Sequence, residues 1–172
     1  MLKTITLASA VALVTAGTAF AHISLEKNEA PAGSTYKAVL RVPHGCEGAA
    51  TIKVTIRVPE GMISVKPMPH AGWTLSTAKG KYAKTYDYYG TPLSEGVTEV
   101  TWSGGNLPDE YYDEFVFRGT FSADLPAGPV YFPVVQECEG GGIDRWIEIP
   151  EAGKSDHDTE MPAPSVTITP KS

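Results

Sequence analysis

The 172-residue sequence predicts an all-β protein built as a two-sheet antiparallel β-sandwich, of immunoglobulin-like or cupredoxin-like topology. Three observations lead there. Apolar residues recur with period two rather than 3.6 over most of the chain, as half-buried strands require. The alternating runs are short and evenly spaced, with Gly/Pro-rich turns between them. Beyond residue 21 there is hardly any helical periodicity, and the remaining stretch, about 150 residues, is long enough for one domain with a real core.

Residues 1–21 carry Lys3, an apolar run over 5–14, a small-residue stretch and the box Ala19-Phe20-Ala21. This is the pattern of a secretory signal peptide cut after Ala21. The apolar run is too short to span a bilayer and no second one follows, so no membrane anchor is expected and the mature protein is expected in the periplasm. Residues 22–26 alternate, with His22, Ser24 and Glu26 on one face and Ile23 and Leu25 on the other. Ala30-Pro31-Ala32-Gly33-Ser34 is a turn, and 36–42 a second strand ended by Pro43. The cleanest alternation covers 51–58: Ile52, Val54, Ile56 and Val58 inward, Thr51, Lys53, Thr55 and Arg57 toward water.

Pro59-Glu60-Gly61 turns the chain into a strand at 62–66, with Met62 in the core, and Gly72-Trp73 leads another through Leu75. The tyrosine-rich stretch 79–89 reads as a strand with an exposed face and a loop. Strands at 96–102 and 114–121 flank Gly104-Gly105-Asn106-Leu107-Pro108, and Phe115, Phe117 and Phe121 share an inward face. Residues 130–136 form a strand in which Pro133 marks an edge or a bulge. A last strand covers 144–149. The domain is expected to span 22–153, and 154–172 to be a disordered polar tail.

The formal net charge of −6 argues against nucleic acid or anionic lipid as partners and suits a cation. Two cysteines in an exported chain, Cys46 and Cys138, are expected to form a disulfide; a thiolate site for Cu(I) is the alternative. Cleavage after Ala21 makes His22 the first residue. A terminal histidine offers a metal its α-amine and its imidazole Nδ1 together, once both have lost a proton, and such nitrogen chelation favours Cu(II).

In the last strand, period two puts Arg145, Ile147 and Ile149 on one face and Trp146 and Glu148 on the other. With the isoleucines in the core, Trp146 and Glu148 stand on the outer surface. Should the His22 strand lie beside them, Glu148 completes the coordination and Trp146 closes one side. Glu26 lies roughly 13 Å along its strand from His22. Glu137 and Glu139, beside Cys138, read as solvated. His44, His70 and His157 read as surface residues, and Met62, Met68 and His70 do not by themselves make a thioether site. No nucleophile elbow, P-loop or dinucleotide fingerprint occurs, so no enzyme is expected.

His22-Ile23-Ser24-Leu25-Glu26, Arg41-Val42-Pro43-His44-Gly45-Cys46, Val58-Pro59-Glu60-Gly61, Pro133-Val134-Val135-Gln136-Glu137-Cys138 and Arg145-Trp146-Ile147-Glu148-Ile149-Pro150 together resemble the YcnI-like family of exported copper-binding domains. The resemblance implies a β-sandwich that binds Cu(II) through a single-histidine brace, His22 here, with Trp146 as the characteristic tryptophan and Glu148 as the carboxylate. Many relatives continue into a C-terminal membrane helix, whereas this chain ends in a polar tail, so a free periplasmic protein is expected. The expected role is a copper chaperone or buffer, with copper and other periplasmic or membrane copper-handling proteins as partners. Two other readings stand beside it: a copper-dependent oxidase of the polysaccharide-monooxygenase type, which needs a second imidazole near His22, and a metal-independent adhesion or assembly module.

Overall fold

A computed structural model describes residues 22–151 and 159–171. The proposed signal peptide and His157 lie outside the described residues. Among the described residues twelve strands follow in order: β1 Ser24–Leu25, β2 Glu29–Pro31, β3 Thr35–Val42, β4 Thr51–Arg57, β5 Met62–Pro67, β6 Thr74–Tyr88, β7 Thr91–Leu107, β8 Asp113–Phe121, β9 Gly128–Tyr131, β10 Val134–Cys138, β11 Ile143–Trp146 and β12 Ser165–Thr169. One sheet has the order β1-β3-β8-β5 and another β11-β10-β4-β7-β6, and every pairing within them is antiparallel. These are the two layers the alternation predicts. A third, small sheet, β2-β12-β9, adds a parallel β2–β12 pair that the sequence reading does not contain.

The core lies between the two large sheets. Val54 and Ile56 of β4 and Phe115, Phe117 and Phe121 of β8 are buried there, with Met62 and Trp102. Each such side chain contributes about 1.5–3 kcal/mol over remaining exposed. The 51–58 alternation breaks at its first residue: Thr51 is buried rather than facing water. A register irregularity between Thr51 and Lys53 reverses the parity there. The runs at 72–75 and 79–89 are one strand, β6, which pairs with β7 in a long hairpin. Its turn is Tyr89-Gly90, both at positive φ (52° and 81°), the type I′ geometry that matches strand twist in two-residue hairpins.

The expected strand at 130–136 is divided at Phe132-Pro133 between β9 and β10, which belong to different sheets. Proline lacks the N–H a continuous ladder would need, while its carbonyl accepts from Arg57 N at 2.9 Å.

The largest correction concerns the C-terminus. Residues 159–171 are packed, not a disordered tail: Val166 and Ile168 are 0 % and 1 % exposed, and Ala32 N donates to Thr169 O at 2.9 Å. The alternation Val166-Thr167-Ile168-Thr169 is a strand signal that the proline-bearing surroundings hide. Cys46 and Cys138 form the expected disulfide, closing a separation of 92 residues. Among the described residues no helix is long and apolar enough to cross a membrane.

Candidate metal centre

His22 is half-buried where β1 begins. β1 pairs with β3 through Ser24↔Arg41 and Leu25↔Leu40, and the side chains of Ile23 and Leu25 are buried in the core. The alternation of this first segment therefore anchors it on one face. The His22 ring meets the Trp146 indole edge-on, with centroids 5.7 Å apart and planes at 87°. The sequence-predicted pair is thus brought together.

Trp146, however, is on the face opposite to the expected one. It is 3 % exposed, while Ile147 and Ile149 are 43 % and 57 % exposed. The pairings Val134↔Trp146 and Gln136↔Asp144 put Trp146 and Asp144 on the side of the buried Val134 and Gln136. A wide, flat side chain with one polar atom fits that position because its N–H is satisfied: Trp146 Nε1 donates to Gln136 Oε1 at 3.1 Å. Gln136 is itself wholly buried. Its Nε2 donates to His44 O and to Thr51 Oγ1, both at 2.7 Å, so both ends of the amide are used.

His44 is not the surface histidine that was expected. It is half-buried, with its ring 6.3 Å from the Trp146 indole and inclined at 66°. Trp146 therefore carries an imidazole contact from His22 and another from His44. The His44 Nδ1–H donates to Gly45 O at 2.5 Å. Gly45 N donates to Asp109 Oδ1 at 2.9 Å, and a β-carbon on Gly45 would lie 1.9 Å from Ala49 O, so only glycine fits this turn. Cys46 follows, tied to Cys138.

Glu148 does not stand beside Trp146 as a second group on a shared face. β11 ends at Trp146, and the bond from Ile147 N to Arg145 O at 2.9 Å interrupts the period. Glu148 is exposed, and its Oε2 accepts from Glu160 N at 3.0 Å and Met161 N at 3.3 Å. Its main chain bridges the same segment, with Ala163 N donating to Glu148 O at 2.8 Å. The structure thus uses Glu148 to strap down the C-terminal segment. Among the described residues no group of three His, Cys, Asp or Glu side chains is placed to hold a metal.

The other acids considered are engaged elsewhere. Glu26 pairs with Arg41 at 3.6 Å, Glu137 with Lys53 at 2.8 Å, and Glu139 accepts from Asn106 Nδ2 at 3.1 Å. His70, also expected at the surface, is part-buried against Phe115 and pairs with Asp113 at 2.9 Å. Near the His44 imidazole the carboxylate is Asp144. Burial raises its pKa, opposed by the nearby His44 and reinforced by Glu47. Sequence reasoning weighed His44 as a second imidazole and read it as a surface residue, and it did not single out Asp144. Asp144 shares the parity of Trp146 and was legible by the rule already applied to that strand; the place of His44 depends on the fold of its loop.

An open groove of about 430 Å³ leads from His22 past Ser24 and Asn28, walled opposite by Pro162, Ala163 and Ser165. Its far wall is the segment strapped by Glu148.

A family model described as "Domain of unknown function (DUF1775)" matches residues 22–168. The match begins at His22 and ends within β12. A solved structure, described as an uncharacterized protein from Nocardia farcinica with an immunoglobulin-like fold, is 27 % identical with a TM-score of 0.62, covering 86 % of this chain and 97 % of that one. Of the two topologies expected, this likeness supports the immunoglobulin-like one. No curated protein matches the sequence.

Proposed function

The chain belongs to the DUF1775 family, and from that membership together with the site geometry we propose that it is an exported copper-binding protein, a chaperone or buffer that holds one Cu(II) at a processed N-terminal His22. The observation that carries this reading is the edge-on contact of the His22 ring with the buried Trp146. A histidine at a merely cleaved end has no need of a fixed indole beside it. Support also comes from the family match, which starts at the residue that cleavage after Ala21 would expose.

The residues fit the ion. After cleavage, the amine and Nδ1 of His22 form a nitrogen chelate, which Cu(II) prefers among the divalent first-row metals. The indole, packed against the His22 ring, would exclude water from one side of the imidazole. Copper is cargo in this reading. A half-buried site at a groove mouth can release it to a partner, and no turnover is required. Glu148 Oε2 is already bonded to the N–H groups of Glu160 and Met161, so this oxygen would have to leave the strap to reach the ion.

The test is a Cu(II) competition titration of protein beginning at His22 against protein carrying one glycine before it. The extended form is expected to bind at least about 100-fold more weakly, the upper end of what loss of a supporting partner alone costs. Equal affinity would refute the chelate. The oxidase reading gains one observation, the second imidazole of His44 near Trp146; it predicts dioxygen consumption by the copper-loaded protein with a reductant, and no consumption above free copper would dismiss it.

A further inference from the structure

We propose that the outer face of the β1-β3-β8-β5 sheet, at its β5 end, is a docking surface for an acidic segment of a partner protein that carries an apolar side chain. The inference is independent of copper at His22. Period two turns Lys37 and Val39 of β3, and Val116 and Arg118 of β8, away from the core face that holds Phe115 and Phe117. Lys37 stands directly across from Arg118, and Arg118 directly across from Lys66 of β5. These cations form one row over three strands, about 10 Å long at the usual strand spacing.

Such a row works against the fold, because like charges directly opposite one another in a sheet are destabilising. Among the described residues none of the three has an ion-pair partner: the pairs that form involve Arg41, Lys53, His70 and Lys84. Glu114, on the same face of β8, is taken by Arg41. Lys37, Lys66 and Arg118 are all exposed, in a chain whose formal net charge is −6. A lysine on an edge strand discourages the addition of further strands, but that accounts for Lys66 alone. Lys37 and Arg118 belong to inner strands, and Pro67 and Pro69 already blunt the β5 edge. Hydrogen bonding to Ser64 lowers the pKa of Tyr88, and against desolvation Thr120, Arg118 and Lys66 act in the same direction, so the positive field of the row reaches the tip of the β6–β7 hairpin.

Beside the row opens a groove of about 340 Å³, lined by Pro67, Met68 and Val116 together with the three cations. Clefts that take a ligand measure about 300–1,000 Å³, so this one suits a single anchor. Val116 is 8 % exposed and Met68 48 %, which makes the first the floor and the second the accessible wall. Met68 N donates to Val116 O at 2.8 Å and ties wall to floor. Methionine, unbranched and polarizable, adapts its shape to what it meets. The combination selects the occupant. Carboxylates match the row, and an apolar side chain enters the recess, which a flat plane of lipid headgroups does not reach. The partner lies across the face without adding a strand, since the prolines withhold the N–H groups that strand addition needs. A surface of this extent belongs to weak, transient encounters.

The probe is a short fluorescein-labelled peptide alternating glutamate and leucine, titrated to about 1 mM into ¹⁵N-labelled protein beginning at His22. Anisotropy measures affinity and amide shifts locate the contact. The expected result is shifts clustered at Lys37, Lys66, Met68, Val116 and Arg118, with affinity that falls as salt is added. The triple variant Lys37→Gln, Lys66→Gln, Arg118→Gln is expected to bind at least about 5-fold more weakly, as are the probe with glutamine for glutamate and the probe with serine for leucine. No shifts on this face up to the highest concentration overturn the proposal, and that measurement needs no variant to fold. Equal affinity in the triple variant overturns it as well. Vesicles of phosphatidylglycerol that bind the wild type but not the triple variant, with no binding of the peptide, would assign the face to a membrane and refute the protein partner.

Discussion

Replacing Gln136 by leucine separates the polar scaffold of the site from its shape. The two side chains are similar in size, but the amide carries three hydrogen bonds: from Trp146 Nε1 at 3.1 Å, to His44 O at 2.7 Å and to Thr51 Oγ1 at 2.7 Å. Trp146 and Thr51 are 3 % and 0 % exposed, so water cannot replace the lost partner. Two buried orphans at about 1–3 kcal/mol each cost about 2–6 kcal/mol. The leucine returns about 1–2 kcal/mol of burial, leaving a net loss of about 2.5 kcal/mol at the middle of these ranges and at most about 5 kcal/mol. For a domain of this size the middle value lowers the melting temperature by roughly 5–10 °C. Equilibrium urea unfolding of oxidised protein measures it. Gln136→Glu, which retains an acceptor for the indole but not the amide donors, is expected to hold the Trp146 bond while releasing His44. A cost below about 0.5 kcal/mol for Q136L, the range of an ordinary surface change, would refute the account of the network. An unchanged copper affinity in a destabilised Q136L would show that the network serves the fold and not the site.

Ile168→Ala is expected to cost about 2–5 kcal/mol in the same assay, because Ile168 is 1 % exposed in β12; a cost near zero would return the C-terminus to a solvated tail. Removing the disulfide as Cys46→Ala/Cys138→Ala releases a loop of 92 residues and is expected to cost about 4–5 kcal/mol on the chain-entropy model, with a loss below about 1 kcal/mol contradicting it. Tyr36 is buried and donates to Lys27 O, and burial, helped by Glu26, raises its pKa to about 12. Since the folded value lies above the ordinary 10, the stabilisation is complete below pH 10 and is lost as pH rises toward 12. Stability followed by urea unfolding from pH 9 to 11.5 should therefore fall more steeply in wild type than in Tyr36→Phe, and parallel curves would exclude Tyr36 as the cause.

The layers of the fold were legible because their signal is local. Val54 and Ile56, or Phe115, Phe117 and Phe121, state their own face by spacing alone, and two cysteines have one possible pairing. What failed depended on partners far away in sequence. Ile147 and Ile149 look like core residues beside Trp146, but β11 ends at Trp146 and the isoleucines fall where no second layer covers them. The hydrophobicity of a strand end does not tell which side is roofed. Likewise β12 is short and lies between prolines; only its insertion between β2 and β9 makes its two apolar residues a core. His22 and Trp146 were legible as a pair because each sits in its own strong local motif. His44 was not, because a histidine in a Pro-His-Gly turn points wherever the loop is fastened, and the fastening comes from Gln136, Asp109 and Cys138.

The site stands where an edge strand of one sheet, β1, approaches an edge strand of the other, β11. Edge positions are where a sandwich is open to solvent, and natural edges need covering. Here the covering is divided. The C-terminal segment, strapped by Glu148, walls the groove on one side, and the segment from His22 to Leu25 lies on the other. Such a division matters for the terminal ligand proposed above, because ordering a free end costs about 1–2 kcal/mol per residue before any bond to an ion is made. Ile23 and Leu25, 2 % and 8 % exposed, have already met that cost when β1 pairs with β3. The segment from His22 to Leu25 is therefore held by its apolar face, independently of metal, while Trp146 and the His44 main chain are held by Gln136 and the neighbouring disulfide. On the proposed copper reading, an ion arriving at this corner would meet a His22 ring already set against the buried Trp146, with the chain beneath it ordered in advance by β1.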